Sequence, residues 1–148
     1  DEISGKLIKT RIDFDSYEDL NKIIDEFNPD LIGVSAMTFH KNFFHEAIGK
    51  IREGGYEKTI IVGGPHPTTS YAEVLKDENI DICAIGEGEQ ILADVVDKLM
   101  KNNKDKLSKK QLELIDGIAF IDKKNVEKTI DHNNNFSLSK EKNISLSK

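Results

Sequence analysis

Three short apolar runs, each ending in glycine or a small hydroxyl residue, constrain this chain more than any other feature of its sequence. They are Leu31-Ile32-Gly33-Val34-Ser35, Thr59-Ile60-Ile61-Val62 leading into Gly63-Gly64, and Ile80-Asp81-Ile82-Cys83-Ala84-Ile85 leading into Gly86-Glu87-Gly88. A strand that is apolar at nearly every position must be buried on both faces, as in parallel sheets covered by helices. Segments with helical spacing lie between the runs. Tyr17, Leu20, Ile23, Ile24 and Phe27 form one stripe, opened by Asp15 and Ser16 and closed by Asn28-Pro29-Asp30. Phe43, Phe44, Ala47, Ile48 and Ile51 form a second, ended by Gly54-Gly55. A short helix is expected around Tyr71, Val74 and Leu75, and a longer one over Ile91, Leu92, Val95, Val96, Leu99 and Met100. Strands alternating with helices of this length predict an α/β fold: an open, mostly parallel, doubly wound sheet of Rossmann-like or flavodoxin-like type, with helices on both faces and right-handed crossovers.

The flanks are less regular. Leu7 to Ile12 reads as a short strand, and Ile115 to Ile121 as a late strand that Lys123-Lys124-Asn125 could turn into a hairpin. From about Asp131 the pattern fades into Asn133-Asn134-Asn135 and a repeated Ser-Leu-Ser-Lys. The organisation expected is therefore one domain over residues 1–130 and a polar, disordered tail or linker over 131–148.

Charge and composition exclude several classes of partner. The formal net charge of -6 argues against nucleic acid and anionic membrane surfaces. No apolar run approaches the roughly 20 residues that span a bilayer. The single cysteine, Cys83, can form neither an internal disulfide nor a metal cluster, which fits a reducing cytoplasm. Its apolar neighbours mark it as a buried small hydrophobe.

Ligands of open parallel sheets bind at the carboxyl ends of the strands. Three such ends carry unusual residues here: Ser35-Ala36-Met37-Thr38, Gly63-Gly64-Pro65-His66-Pro67-Thr68 and Gly86-Glu87-Gly88-Glu89. Glycine lets a ligand approach the backbone, and Ser35 and Thr38 offer hydroxyls. A helix beginning near Gln90 would aim its N-terminus at the same edge. His66, held between two prolines, reads as a positioned side chain, and His40 follows the Ser35 loop closely enough to face a ligand. Glu89 reads as a helix cap. The dinucleotide fingerprint is incomplete, because Ile91 stands where its third glycine belongs, and no phosphate-binding Gly-Lys-Ser/Thr loop is present. No catalytic constellation emerges.

The order and spacing of the three motifs, over roughly Ser16 to Phe120, resemble the cobalamin-binding domain of radical S-adenosylmethionine proteins. The pattern is similar to that of the subgroup that includes the anaerobic magnesium-protoporphyrin IX monomethyl ester cyclases. The resemblance implies that Ser35 meets the nucleotide tail of cobalamin, with Met37 as the apolar residue of the Ser-x-Leu type motif. It implies that Gly63-Gly64 line the slot for that tail and that Gly86-Glu87-Gly88 lie near its nucleotide loop. The Asp-x-His-x-x-Gly motif that supplies a cobalt ligand in the methionine synthase type is absent. His40 and His66, the candidates for that role, do not sit in its context, and many relatives lack the motif, which implies binding with the cobalt free of protein histidine. The three-cysteine motif for an iron–sulfur cluster and S-adenosylmethionine is absent too, so those cofactors would belong to a separate domain of a parent enzyme, working anaerobically on methyl transfer or radical chemistry. Family members begin with a strand and a Pro-rich loop ahead of the region seen here, so the resemblance also implies a sheet short of its first strand. Two other classes remain open on residues alone. One is a flavodoxin-like signalling or interaction module without cofactor, although the acidic cluster of receiver domains is missing from the strand ends. The other is a nucleotide- or flavin-binding domain.

Overall fold

The computed structural model describes residues 3–35, 37, 40–103, 105–121 and 144–146. Each helix starts and stops for a local reason. α1 (Tyr17–Phe27) is capped by Ser16, whose hydroxyl accepts the Asp19 N–H at 3.1 Å, and it ends on Asn28 in the left-handed region. Such a cap contributes about 1 kcal/mol. β1 (Leu31–Ser35) follows, then α2 (Lys41–Glu53), then β2 (Thr59–Gly63). α3 (Pro65–Val74) starts earlier than its apolar spacing suggests. Proline is tolerated in a first turn because its missing N–H would have no partner there. The segment expected as a loop over residues 65–68 is therefore the first turn of this helix.

The chain continues through β3 (Ile82–Ala84), α4 (Gly88–Asn102), the single turn α5 (Lys109–Leu112), β4 (Ile118–Ile121) and β5 (Ile144–Leu146). The strands form one sheet in the order β1-β2-β3-β4-β5. β1, β2 and β3 are parallel; β4 is antiparallel to β3 and β5 antiparallel to β4. The sheet is thus open and mostly parallel, as the alternation of strands and helices requires.

Strand alternation divides the core into two layers. Ile60, Val62, Cys83 and Ala119 face α1, α2 and α3, meeting Leu20, Ile24, Phe44, Ile48, Ile51 and Val74. Ile61, Ile82, Ala84, Ile118 and Phe120 face α4 and α5, meeting Ile91, Val95, Leu99, Leu112 and Ile115. Ile48, Ile60, Val62, Val95 and Ile118 have no exposed surface. Truncating one such side chain to alanine costs about 2–5 kcal/mol in loss of transfer energy and cavity formation.

One expectation is corrected. Leu7 to Ile12 is not a strand: Thr10 bridges only to Phe14, Leu7 and Ile12 are exposed, and β1 forms the edge of the sheet among the described residues. Period-two sequence makes a strand only where a neighbouring ladder is within reach. Of residues 131–148 only Ile144–Leu146 is described, and it pairs with β4 in register Ala119↔Leu146 and Ile121↔Ile144. β4 presents an edge for any extended segment to pair with, and Ile-Ser-Leu alternates as a strand needs. The hairpin turn at 123–125 and the Asn133–Asn135 run lie outside the described residues.

Candidate functional site

The parallel register sets Ser35 beside Gly63. The next neighbour is Ala84, because a Cβ built on Gly63 would sit 3.7 Å from the Ala84 Cβ. Alternation from Ile61 and Ile82, which pack on the α4 layer, puts this row on the α4 side of the sheet. Gly33, two residues before Ser35, shares that side. The carboxyl end of the sheet thus carries a shelf of small residues, running from buried Ala84 through half-buried Gly63 to exposed Ser35 and Gly33. No side chain in it is larger than serine.

Two glycines shape the rim through their backbone. Gly64 (φ 99°), at the N-cap of α3, and Gly86 (φ 91°), between β3 and α4, adopt conformations that residues with a Cβ avoid. The shelf glycine and Gly88 differ from them. An added Cβ at Gly63 meets only an ordinary van der Waals contact, and one at Gly88 meets nothing within 4 Å. The protein's own packing does not demand glycine at either place. Where a Cβ would stand at these two positions there is no close obstruction, so the residues present do not block a flat group such as a cobalamin tail from the backbone there.

Glu87 stands at the N-cap of α4 without a side-chain cap bond, and Glu89 lies in the first turn. These carboxylates already complement the positive end of the helix dipole. Met37 is exposed beside β1, and its carbonyl accepts the His40 N–H at 3.0 Å. Thr38 lies outside the described residues.

His66 is not part of this row. It packs in the other layer, at 4% exposure, with its ring 6.0 Å from that of Phe44 and 6.3 Å from that of His45. Neither of its ring nitrogens has a hydrogen-bond partner among the described residues. Burial, with His45 and Lys41 nearby, pushes its pKa below the ordinary histidine value, so it is held neutral. His45 bonds Asp77 through Nδ1 at 2.7 Å. Among the described residues no cluster of three or more histidine, cysteine or acidic side chains could hold a metal ion.

The structure therefore brings Ser35, Gly63, Gly64, Gly86, Glu87 and Gly88 to one edge and separates His66 from the shelf face. Sequence reasoning missed Gly33, Ala84 and Thr68. The signal for the first two is present in the sequence, since small residues recur at alternate positions counting back from Ser35 and Gly86. Thr68 was quoted within its motif, yet only the folded loops reveal its bond to Gly86.

Residues 7–96 match the B12 binding domain family. An uncharacterized methyltransferase of Pyrococcus horikoshii is 33% identical over 90 residues, covering 58% of this chain and 19% of that protein. The anaerobic magnesium-protoporphyrin IX monomethyl ester cyclase of Cereibacter sphaeroides is 27% identical over 116 residues, covering 78% of this chain and 18% of that protein. The chain thus spans less than a fifth of the length of these relatives. Among solved structures, the N-terminal domain of a hypothetical protein of Thermotoga maritima is similar, with 25% identity, a TM-score of 0.48 and coverage of 67% of this chain and 70% of that one. Among the described residues no helix is long and apolar enough to cross a membrane. With residues 7–96, more than half of its length, matching that family, this chain belongs to the B12-binding domain family.

Proposed function

We propose that this domain holds cobalamin with its nucleotide tail lying along the shelf Ser35–Gly63–Ala84, inside a larger enzyme of the cobalamin-dependent radical S-adenosylmethionine type. The observation that carries the reading is Gly63: the protein's own packing does not require glycine there, and its missing side chain leaves room on that face for a flat ligand. Ser35 would offer its hydroxyl to the tail, and Gly33 and Ala84 would keep the walls low. Gly64 and Gly86 would set the rim, and Glu87 and Gly88 would border the nucleotide loop. Met37 and Thr38 would meet the ligand beside β1. In this reading His66 supports the Gly64 turn from behind and leaves the cobalt free of protein histidine. When bound, the corrin would supply the methyl-carrying or radical chemistry, and a separate cluster-bearing domain would complete it.

The resemblance to a methyltransferase and to a cyclase supports the enzyme class without choosing between their reactions. Mixing the purified chain with hydroxocobalamin, gel-filtering it and recording the visible spectrum tests the reading. Corrin absorbance should travel with the protein, and a colourless protein peak rejects the proposal.

A further inference from the structure

We infer that Thr68 is a positioning residue that fixes the distance between the two glycine turns at the mouth of the site, an inference that rests on the cobalamin reading above. Its backbone N–H donates to the Gly64 carbonyl at 3.1 Å, and its hydroxyl accepts the Gly86 N–H at 3.1 Å. One residue therefore ties together both positive-φ glycines of the rim, across two neighbouring strands. The turn that carries it is stiff. Pro65 and Pro67 fix φ at two of its positions, and Pro67 and His66 are buried beneath it. The Thr69 hydroxyl bonds back to the Pro65 carbonyl at 2.9 Å, and the helix breaks at Ser70 (φ -133°, ψ 30°). Hydroxyl back-bonding of this kind bends helices. The first turn is thus separated from the rest of α3 and anchored to the core, which makes it a firm post for the Gly86 loop.

Gly86 links β3 to the start of α4, and its N–H points at Thr68 instead of at a ladder partner. Without that acceptor the loop can rotate its peptide, and the gap between the β2 and β3 ends is no longer set before a ligand arrives. Ordering it then falls on the binding step, which weakens affinity without loosening the core.

The test compares wild type with Thr68→Val, which keeps the shape and removes the acceptor, and Thr68→Ser, which keeps the hydroxyl. Hydroxocobalamin titration followed in the visible spectrum, thermal unfolding, and amide exchange of Gly86 in the cofactor-free protein are read together. Thr68→Val should raise the Kd roughly fivefold to tenfold, as loss of one hydrogen bond does. Its melting temperature should stay close to wild type, Gly86 exchange should quicken, and Thr68→Ser should restore all three. Equal affinity for Thr68→Val and wild type overturns the inference, as does failure of serine to rescue. Should Thr68→Val not fold, Thr68→Ser against Thr68→Ala decides by the same criteria. A wild-type protein that takes up no cobalamin rejects the binding reading itself, and Gly86 exchange then still decides whether Thr68 holds the loop.

Discussion

Arg52 at the end of α2 and Asp81 at the start of β3 meet at 2.7 Å, beneath the amino ends of the strands and opposite the proposed site. The guanidinium also donates to the carbonyls of Tyr56 and Lys58 at 2.8 Å and of Asn79 at 3.0 Å, while Asp81 accepts the Ile60 N–H at 3.0 Å. Arg52 thus closes the α2–β2 turn and the α3–β3 turn with one planar fork. Lysine cannot reproduce that geometry. Arg52→Lys should lower stability by about 2–3 kcal/mol, since several part-buried acceptors lose their donor. Urea unfolding measures it, and an unchanged midpoint refutes the staple. Cobalamin uptake by the folded variant should persist, because the two ends of the strands are structurally separate.

Gly63 and Gly117 should respond oppositely to added side chains. A Cβ at Gly117 (φ 74°) would lie 3.0 Å from the Ile91 Cδ1 and 3.4 Å from the Ile85 carbonyl oxygen, so Gly117→Ala should destabilise by about 1–2 kcal/mol. Gly63→Ala should be close to neutral in stability. Gly63→Leu should still fold, yet retain no cobalamin in the gel-filtration assay. Retention by Gly63→Leu would place the ligand elsewhere.

His66 makes stability depend on pH. Its pKa in the folded state lies below the ordinary value of 6.5 because burial, His45 and Lys41 all disfavour the charged ring. The unfolded chain therefore binds more protons than the folded one between the two values, and stability rises with pH there. The contribution is complete above 6.5 and is lost as pH falls toward the depressed folded value. Urea midpoints at about pH 7.5 and about pH 5.5 should differ in wild type and differ less in His66→Phe. An identical pH slope in both proteins would assign the effect to other groups.

Cys83 has no exposed surface, and burial pushes its thiol up to about 12. The thiolate is the reactive form, so a thiol reagent at neutral pH should label the native protein far more slowly than the urea-unfolded one. Rapid native labelling would show that β3 opens.

The sequence by itself determined that β1, β2 and β3 run parallel and that helices cover both faces of the sheet. It could do so because buried strands must be apolar, helices must carry their stripe, and strand-end glycines stand out between them. Caps such as Ser16 were legible for the same local reason. Tertiary structure decided what depends on a partner distant in the chain. Leu7 to Ile12 has strand character but no ladder beside it, whereas Ile144–Leu146 becomes a strand because β4 offers one. His66 sits beside the key glycines in sequence, yet helical geometry beginning at Pro65 turns it into the opposite layer, against Phe44. Gly33 and Ala84 join the shelf only through strand register, and Thr68 reaches Gly86 only because α3 packs next to the end of β3. Local sequence sets which elements form; the pairing of edges and faces sets which residues share a site.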